Sequence, residues 1–342
     1  MTRLRNVVLG GLAALAIGGA ASSAWAEESG SFENRLTGAT IGLPLGALPP
    51  PGLYTGLETA YLGMGHAAAS TGTFIPGGVK LVLPALAQAV PLLWVPGWNF
   101  LGASYGISVV QAFYNNNSTG GTASQGTPFS PAGAAVAAGN YTTANTFFNP
   151  ITLSWNLGGG WFVSAAFNFV APDGTKSTAA DTTPNPDYWT LEPAFAVSYL
   201  ANNWNITGNF FYDINTKTTG TCCSGALGAG VTSGNLFYGD LHALYKFGKW
   251  SIGPVGNFEF QTTSDTGCSV AATALGVCNK YGYGAVGALV GYDFGPVDLQ
   301  FWFTDTVASQ NAPQGVGGLN LWTRLGFRIW GPEAPHPLVA KN

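Results

Sequence analysis

Groups able to do chemistry are few in this chain, and their spacing is the first clue to their role. Asp240, His242 and Lys246 fall at intervals of two and four residues, and Arg324 and Arg328 at an interval of four. On an extended strand such intervals place every one of these side chains on the same face. Asp213, Glu192, Glu259 and Asp298 share that parity in neighbouring stretches, as do the rings of Phe211, Tyr238, Trp302 and Trp322. A face that carries charges in order, with aromatic rings between them, suits the lining of a passage. Charges set which solutes enter, and rings offer apolar contact. The competing reading is that the charges pair with one another and the rings only pack a narrow interior.

Catalysis finds little support. A hydrolase with a Ser/His pair needs its histidine within hydrogen-bond reach of the nucleophile. Only His66, His242 and His336 are available. His66 falls in a loop or strand end, His336 near the C-terminus, and His242 on the ordered face described above. No phosphate loop and no metal-ligand cluster stands out. No catalytic residue, metal or cofactor is therefore expected, and the chain reads as a non-enzyme. Cys222, Cys223, Cys268 and Cys278 are disulfide candidates. A zinc site is the sharper alternative, but no histidine is spaced to complete one. Four cysteines allow three connectivities, and the sequence does not choose among them.

The elements that must position these residues begin with an export signal. Arg3 and Arg5 precede an apolar run from Val7 to Ala21, and Ser22-Ser23-Ala24-Trp25-Ala26 leads into Glu27-Glu28. A basic start, an apolar run of about fifteen residues and a small-x-small site describe a leader cleaved after residue 26. The run is too short and Gly-rich for a membrane anchor. Removing Arg3 and Arg5 leaves 10 basic against 16 acidic residues, a net charge of −6, so nucleic acid is not a partner. Charged residues make up 8% of the chain, against roughly 25% in soluble domains. Yet the most apolar stretch, Leu81 to Val95, is cut by Pro84 and Pro91, so no helix is expected to span a membrane.

What remains alternates with period two. Trp204, Ile206, Phe210, Tyr212 and Ile214 face one way, and Asn205, Thr207, Asn209, Asp213 and Asn215 the other. Twelve such segments can be drawn, near 53–63, 80–95, 99–113, 147–157, 161–171, 188–200, 203–216, 234–247, 250–262, 281–294, 297–309 and 319–330. Most run to about ten residues or more, the length of a tilted strand crossing a bilayer. Five short turns alternate with six long polar loops. Trp161, Trp204 and Trp250 each follow a short turn, and Trp94 and Trp98 flank another, as in an interfacial girdle. The expected fold is therefore all-β: a transmembrane up-and-down antiparallel β-barrel of about twelve strands over residues 53–330, in the outer membrane of a bacterium. Segment 27–52 shows no strand pattern and is either a disordered periplasmic lead-in, the preferred reading, or a lumen plug. Residues 331–342 are expected to be a disordered periplasmic tail.

Several runs carry a family likeness. They are Leu43-Pro-Leu-Gly-Ala-Leu-Pro-Pro-Pro-Gly-Leu-Tyr54, Pro172-Asp-Gly174, Trp189-Thr-Leu-Glu-Pro193, Ala196-Val-Ser-Tyr199, Gly295-Pro-Val297, and Asn311, Gly318 and Trp322-Thr-Arg-Leu325. Together the chain resembles the outer-membrane transporters grouped under the meta-pathway of phenol degradation. The resemblance implies an outer-membrane barrel that takes up small apolar or aromatic compounds. The four cysteines and the segment Leu81 to Leu93 are not features of that family. The alternatives are a structural or partner-binding barrel with a closed lumen and, more distantly, a lipid hydrolase. The expected partners are outer-membrane lipid, small apolar or aromatic solutes and, during insertion, periplasmic chaperones and the barrel-assembly machinery.

Export through an oxidising compartment makes one expectation directly testable. Thiol labelling of the unfolded, unreduced protein should find the four cysteines blocked. Four reactive thiols would end the disulfide reading.

Overall fold

The computed structural model describes residues 34–64, 85–116, 141–175, 185–218, 232–267, 280–310 and 319–332. The expected leader and tail, the four cysteines, His66 and His336 lie outside the described residues, apart from the tail's first two positions, 331 and 332.

Strands dominate because the sequence alternates, and they are β1 (Gly52–Met64), β2 (Ala85–Val95), β3 (Asn99–Phe100), β4 (Ala103–Asn116), β5 (Tyr141–Thr143), β6 (Thr146–Gly158), β7 (Trp161–Ala171), β8 (Thr190–Ala201), β9 (Trp204–Asn215), β10 (Leu236–Phe247), β11 (Trp250–Gln261), β12 (Gly282–Asp293), β13 (Val297–Gln310) and β14 (Leu319–Trp330). Setting aside the short β3 and β5, twelve long strands remain, each paired antiparallel to its neighbours in chain order. β1 pairs with β14, with Glu58 opposite Arg324 and Ala60 opposite Trp322, and β2 pairs with β4. The sheet therefore closes on itself and leaves no edge. Lipid requires this, because an unpaired N–H or C=O in hydrocarbon costs several kcal/mol.

Most strand ends fall within two or three residues of the sequence expectation. One departure has a clear cause. The stretch read as a strand from residue 99 starts at Ala103, because Leu101 and Gly102 take positive φ (53° and 78°) and fold Asn99–Phe100 back onto Ala103–Ser104. Another tight hairpin joins β8 to β9 through Asn202 and Asn203, at φ 52° and 66°. Two successive left-handed residues form the turn whose twist matches paired strands, and asparagine tolerates that conformation well.

Aromatic pairs gather at the short-turn end. Trp161 lies 5.0 Å from Tyr199, Trp204 5.0 Å from Tyr245, and Trp250 4.7 Å from Tyr292, measured between ring centroids. Trp98 stacks 5.7 Å from Tyr105. The girdle expected from the recurrence of tryptophan after short turns is thus built from cross-strand aromatic partners.

The two faces of the wall differ sharply. On β9, Thr207, Asn209, Phe211, Asp213 and Asn215 are buried, whereas Trp204, Ile206 and Ile214 are exposed. The outer face presents large apolar side chains all around, among them Leu241, Ile252, Phe301, Phe303, Leu325 and Phe327. So much exposed apolar surface is stable only against lipid. Leu241→Arg, at mid-strand on the lipid side, should therefore destabilise the folded barrel by about 2–4 kcal/mol. Reversible urea unfolding in liposomes measures this; an unchanged midpoint would contradict a lipid-facing Leu241.

Candidate functional site

The inner face does not enclose an open bore, because the chain's own residues 34–51 run through it. Asn34 Nδ2 donates to Thr190 Oγ1 (2.6 Å), at the end of β8 that carries the long loops. Gly46 N donates to Ser198 Oγ (3.1 Å), and Arg328 donates to Pro51 O (2.5 Å) near the short-turn end. Between these points the segment is a string of tight turns: Ala39 N to Leu36 O, Ile41 N to Gly38 O, Leu43 N to Thr40 O and Ala47 N to Pro44 O. Turns of this kind leave many backbone groups free to bond outward, and the barrel's inner side chains take them up.

Four carboxylates organise the interior, and among them Asp240 takes up backbone N–H groups of the segment. Glu192 accepts from Arg35 Nη1 (2.6 Å), from Asn168 Nδ2 (2.6 Å) and from the Tyr238 hydroxyl. Asp240 accepts from Gly38 N (2.8 Å), Thr40 N (2.9 Å) and Thr40 Oγ1 (2.6 Å). Glu259 accepts from the Thr37 and Tyr281 hydroxyls. Glu58 receives Arg324 Nε at 2.8 Å, and the same guanidinium donates to Ile41 O (2.7 Å), Gln300 Oε1 (3.0 Å) and Ala39 O. Hydrogen bonds to a charged partner contribute roughly 1.5–3 kcal/mol each, about twice a neutral one. Asn209 Nδ2 adds bonds to Thr40 O (3.2 Å) and Leu43 O (3.2 Å).

His242 is fully engaged. Gly42 N–H donates to its Nδ1 at 3.2 Å, so that nitrogen carries no proton, and Nε2 donates to Asn205 Oδ1 at 3.2 Å. Gly42 itself sits at φ 85°, and a Cβ there would lie 2.6 Å from Gln300 Oε1. Only glycine fits both the backbone angle and the space.

Apolar contacts complete the interior. Ile41 is buried with Leu244, Leu289, Trp302 and Trp322. The two indoles, directly opposite each other on β13 and β14, stack with centroids 5.5 Å apart and planes 7° apart. The Arg324 guanidinium carbon lies 4.7 Å from the Trp302 centroid. Five inward polar atoms find no partner among the described residues: Asn209 Oδ1, Asp213 Oδ1, Asn257 Oδ1, Trp302 Nε1 and Trp322 Nε1.

Each residue singled out in the sequence can now be placed. Asp213, Tyr238, Asp240, His242, Glu259, Trp302, Trp322 and Arg324 are buried on the inner face and come together around residues 34–43. Lys246, Asp298 and Arg328 keep the inward parity but stand at the short-turn rim, exposed. Lys246 pairs there with Asp293 at 3.2 Å. Parity fixes which way a side chain points, whereas position along the strand fixes how deep it sits, and these three lie too close to a turn to be buried.

A family model described as "Putative MetA-pathway of phenol degradation" matches residues 67–324. The chain belongs to this family. Among solved structures it is similar to an outer membrane channel from Pseudomonas putida F1, at 13% identity and a TM-score of 0.61, covering 82% of this chain and 96% of that one. A weaker likeness, with a TM-score of 0.39 and 12% identity, covers 82% of this chain and 98% of outer membrane phospholipase A from Escherichia coli. The first likeness establishes the fold as that of an outer-membrane barrel; the second is too distant to carry an argument. No curated protein matches the sequence.

Within this phenol-degradation family member, sequence reasoning missed three residues of the site, two of which no strand pattern could have shown. Arg35 and Thr37 lie in a segment with no periodicity. Glu58 does fall on the inward parity of β1, where a charge flanked by Leu57 and Thr59 was the available signal. The expectation that no Gly-x-Ser-x-Gly spacing occurs is incorrect, because Gly102-Ala103-Ser104-Tyr105-Gly106 has the spacing of a nucleophile elbow. An elbow needs a strand-to-helix turn. Here Ser104 follows a hairpin, pairs with Asn99 and Ser154 in the sheet, and is exposed. His242 has both nitrogens occupied elsewhere, so no Ser/His pair forms among the described residues.

Removing one member of a buried ion pair strands the other. Arg324→Ala should therefore cost about 3–5 kcal/mol in unfolding free energy, read by denaturant titration of the liposome-embedded barrel. Adding Glu58→Gln should recover part of that loss, because no carboxylate is then left bare. A double variant less stable than Arg324→Ala alone would contradict the pairing.

Proposed function

We propose that this protein is an outer-membrane channel for the uptake of small apolar or aromatic compounds. The observation that carries the proposal is the inner face itself. Buried aromatic rings alternate with hydrogen-bonding groups inside a closed wall, and several of those groups, including both indole N–H donors of the Trp302–Trp322 stack, have no partner among the described residues. Stacked rings beside a spare donor suit a flat apolar solute with one polar handle, of which phenols are the simplest case. Family membership and the likeness to a channel of the same fold support the same reading. The chain would reach the outer membrane after loss of residues 1–26, with periplasmic chaperones and the barrel-assembly machinery inserting it.

In this reading residues 34–51 act as a plug. They thread the space a solute would cross, held at every level by wall side chains. The same observation favours a second reading, a barrel whose lumen stays closed and whose role is structural or partner-binding.

Liposome permeability separates the two. Small sugars and phenol-like solutes are compared over protein-free liposomes, using the complete mature protein and a variant lacking residues 27–51. Faster entry of phenol-like solutes than of sugars, greater in the truncated barrel, is the expected result. No gain with either protein, when both show heat-modifiable migration on gels, would leave the closed barrel as the function.

A further inference from the structure

The guanidinium of Arg35 is held as a ligand is held. Its carbon lies 3.9 Å from the Phe211 ring centroid and 5.0 Å from that of Phe147, so aromatic faces meet it from two strands. Its Nη1 bonds Glu192 at 2.6 Å. Three of the walls pack on one another. Phe211 stacks on Tyr238 with centroids 5.0 Å apart, Tyr238 donates to Glu192, and all three are buried. Every one of these groups belongs to the barrel wall, on β6, β8, β9 and β10. The occupant alone comes from the threading segment.

The box is also one donor short. Asp213 stands two residues beyond Phe211 on β9, hence on the same face. It is 2% exposed, and its Oδ1 has no partner among the described residues. The box thus holds one carboxylate paired with the cation, Glu192, and one spare acceptor, Asp213 Oδ1. A neutral aromatic solute taking the place of Arg35 would leave the buried Glu192 without its counter-charge. A cation without N–H groups would meet the rings but leave the acceptors bare.

We infer that the Phe147–Phe211–Glu192–Asp213 box is a binding site for a compact organic cation bearing N–H donors, a guanidinium or primary ammonium compound, and that Arg35 is its built-in competitor. The inference rests on the channel reading only in taking the barrel interior as accessible to solutes, and it extends the solute class from phenols to aromatic or alkyl amines and guanidines. A solute of this kind would take over the contacts of Arg35 and loosen one anchor of the plug.

The test is chemical rescue. Mature protein carrying Arg35→Ala, in detergent micelles, is titrated with guanidinium chloride in the millimolar range by calorimetry. Saturable binding at least roughly tenfold tighter than to the unaltered protein is expected, a difference equal to about 1.4 kcal/mol. Binding should be lost when Glu192→Gln is added, and tetramethylammonium should bind more weakly than guanidinium. A folded Arg35→Ala barrel, judged by heat-modifiable migration, that binds no guanidinium overturns the site. Arg35→Gln is measured in parallel, and failure of both variants to fold would make Arg35 a structural anchor and equally overturn it. No transport is involved, so a barrel that binds guanidinium yet passes no solute would keep the site and refute the channel.

Discussion

Carboxylates on the inner face of a lipid-facing wall can look for partners only inside the barrel. Glu192, Asp240, Glu259 and Glu58 are all deeply placed, and their charges would be very costly if left bare. Among the described residues the wall's own inner-face cations are few: Arg324 is buried, while Lys246 and Arg328 stand at the rim. Arg324 meets Glu58, and the balance for the other three is made by residues 34–43, which bring one guanidinium to Glu192, a hydroxyl to Glu259, and a hydroxyl and two backbone N–H groups to Asp240. Most of the interior geometry follows from that shortage. The segment is present because the acids need it, and it is turned rather than extended because turns leave N–H groups free.

The outer face obeys a different constraint and imposes it on the backbone. Lipid gives no hydrogen bonds, so the strands must pair without an edge, and β1 meets β14 to close the ring. Proline within a strand then needs handling, because it cannot donate. Pro150 coincides with a register shift between β6 and β7, and Pro193 with a two-residue gap in the β8–β9 pairing across which the register is unchanged. At Pro150 the neighbouring Asn149 turns its side chain to the Ile151 carbonyl (3.4 Å) and to Asn168. The polar inner face thus helps to repair faults that the apolar outer face cannot.

The sequence is transparent where a single periodicity governs. Alternation along β9 and β10, together with Trp204 and Trp250 just past tight turns, gave strand position, inward parity and the short-turn girdle, because lipid on one side and polar lumen on the other force every second residue to differ. The interior segment is opaque for the converse reason. Leu36 to Pro51 repeats no period, since its turns are fixed by contacts with six or more separate strands and not by local pattern. Arg35 therefore reads in the sequence as an ordinary charge in the lead-in that follows the leader. Depth is similarly hidden: Asp240 and Lys246 share parity on one strand, yet one is buried and the other exposed.

These facts change how a lining of paired charges should be understood. Ion-paired packing and solute selection look like alternatives for Asp240 or Arg324 when their partners are sought in the wall. Their partners lie largely on the segment: Asp240 holds Gly38 and Thr40, and Arg324 holds Ala39 and Ile41 while it also meets Glu58. Packing is then the state of the lumen with the segment in place. Any withdrawal of residues 34–43 frees the same side chains, and their unmet charges become the features that an entering solute encounters. The energy that secures the segment and the chemistry that would recognise a solute reside in one set of atoms, so a solute that binds those atoms well must compete with the segment directly.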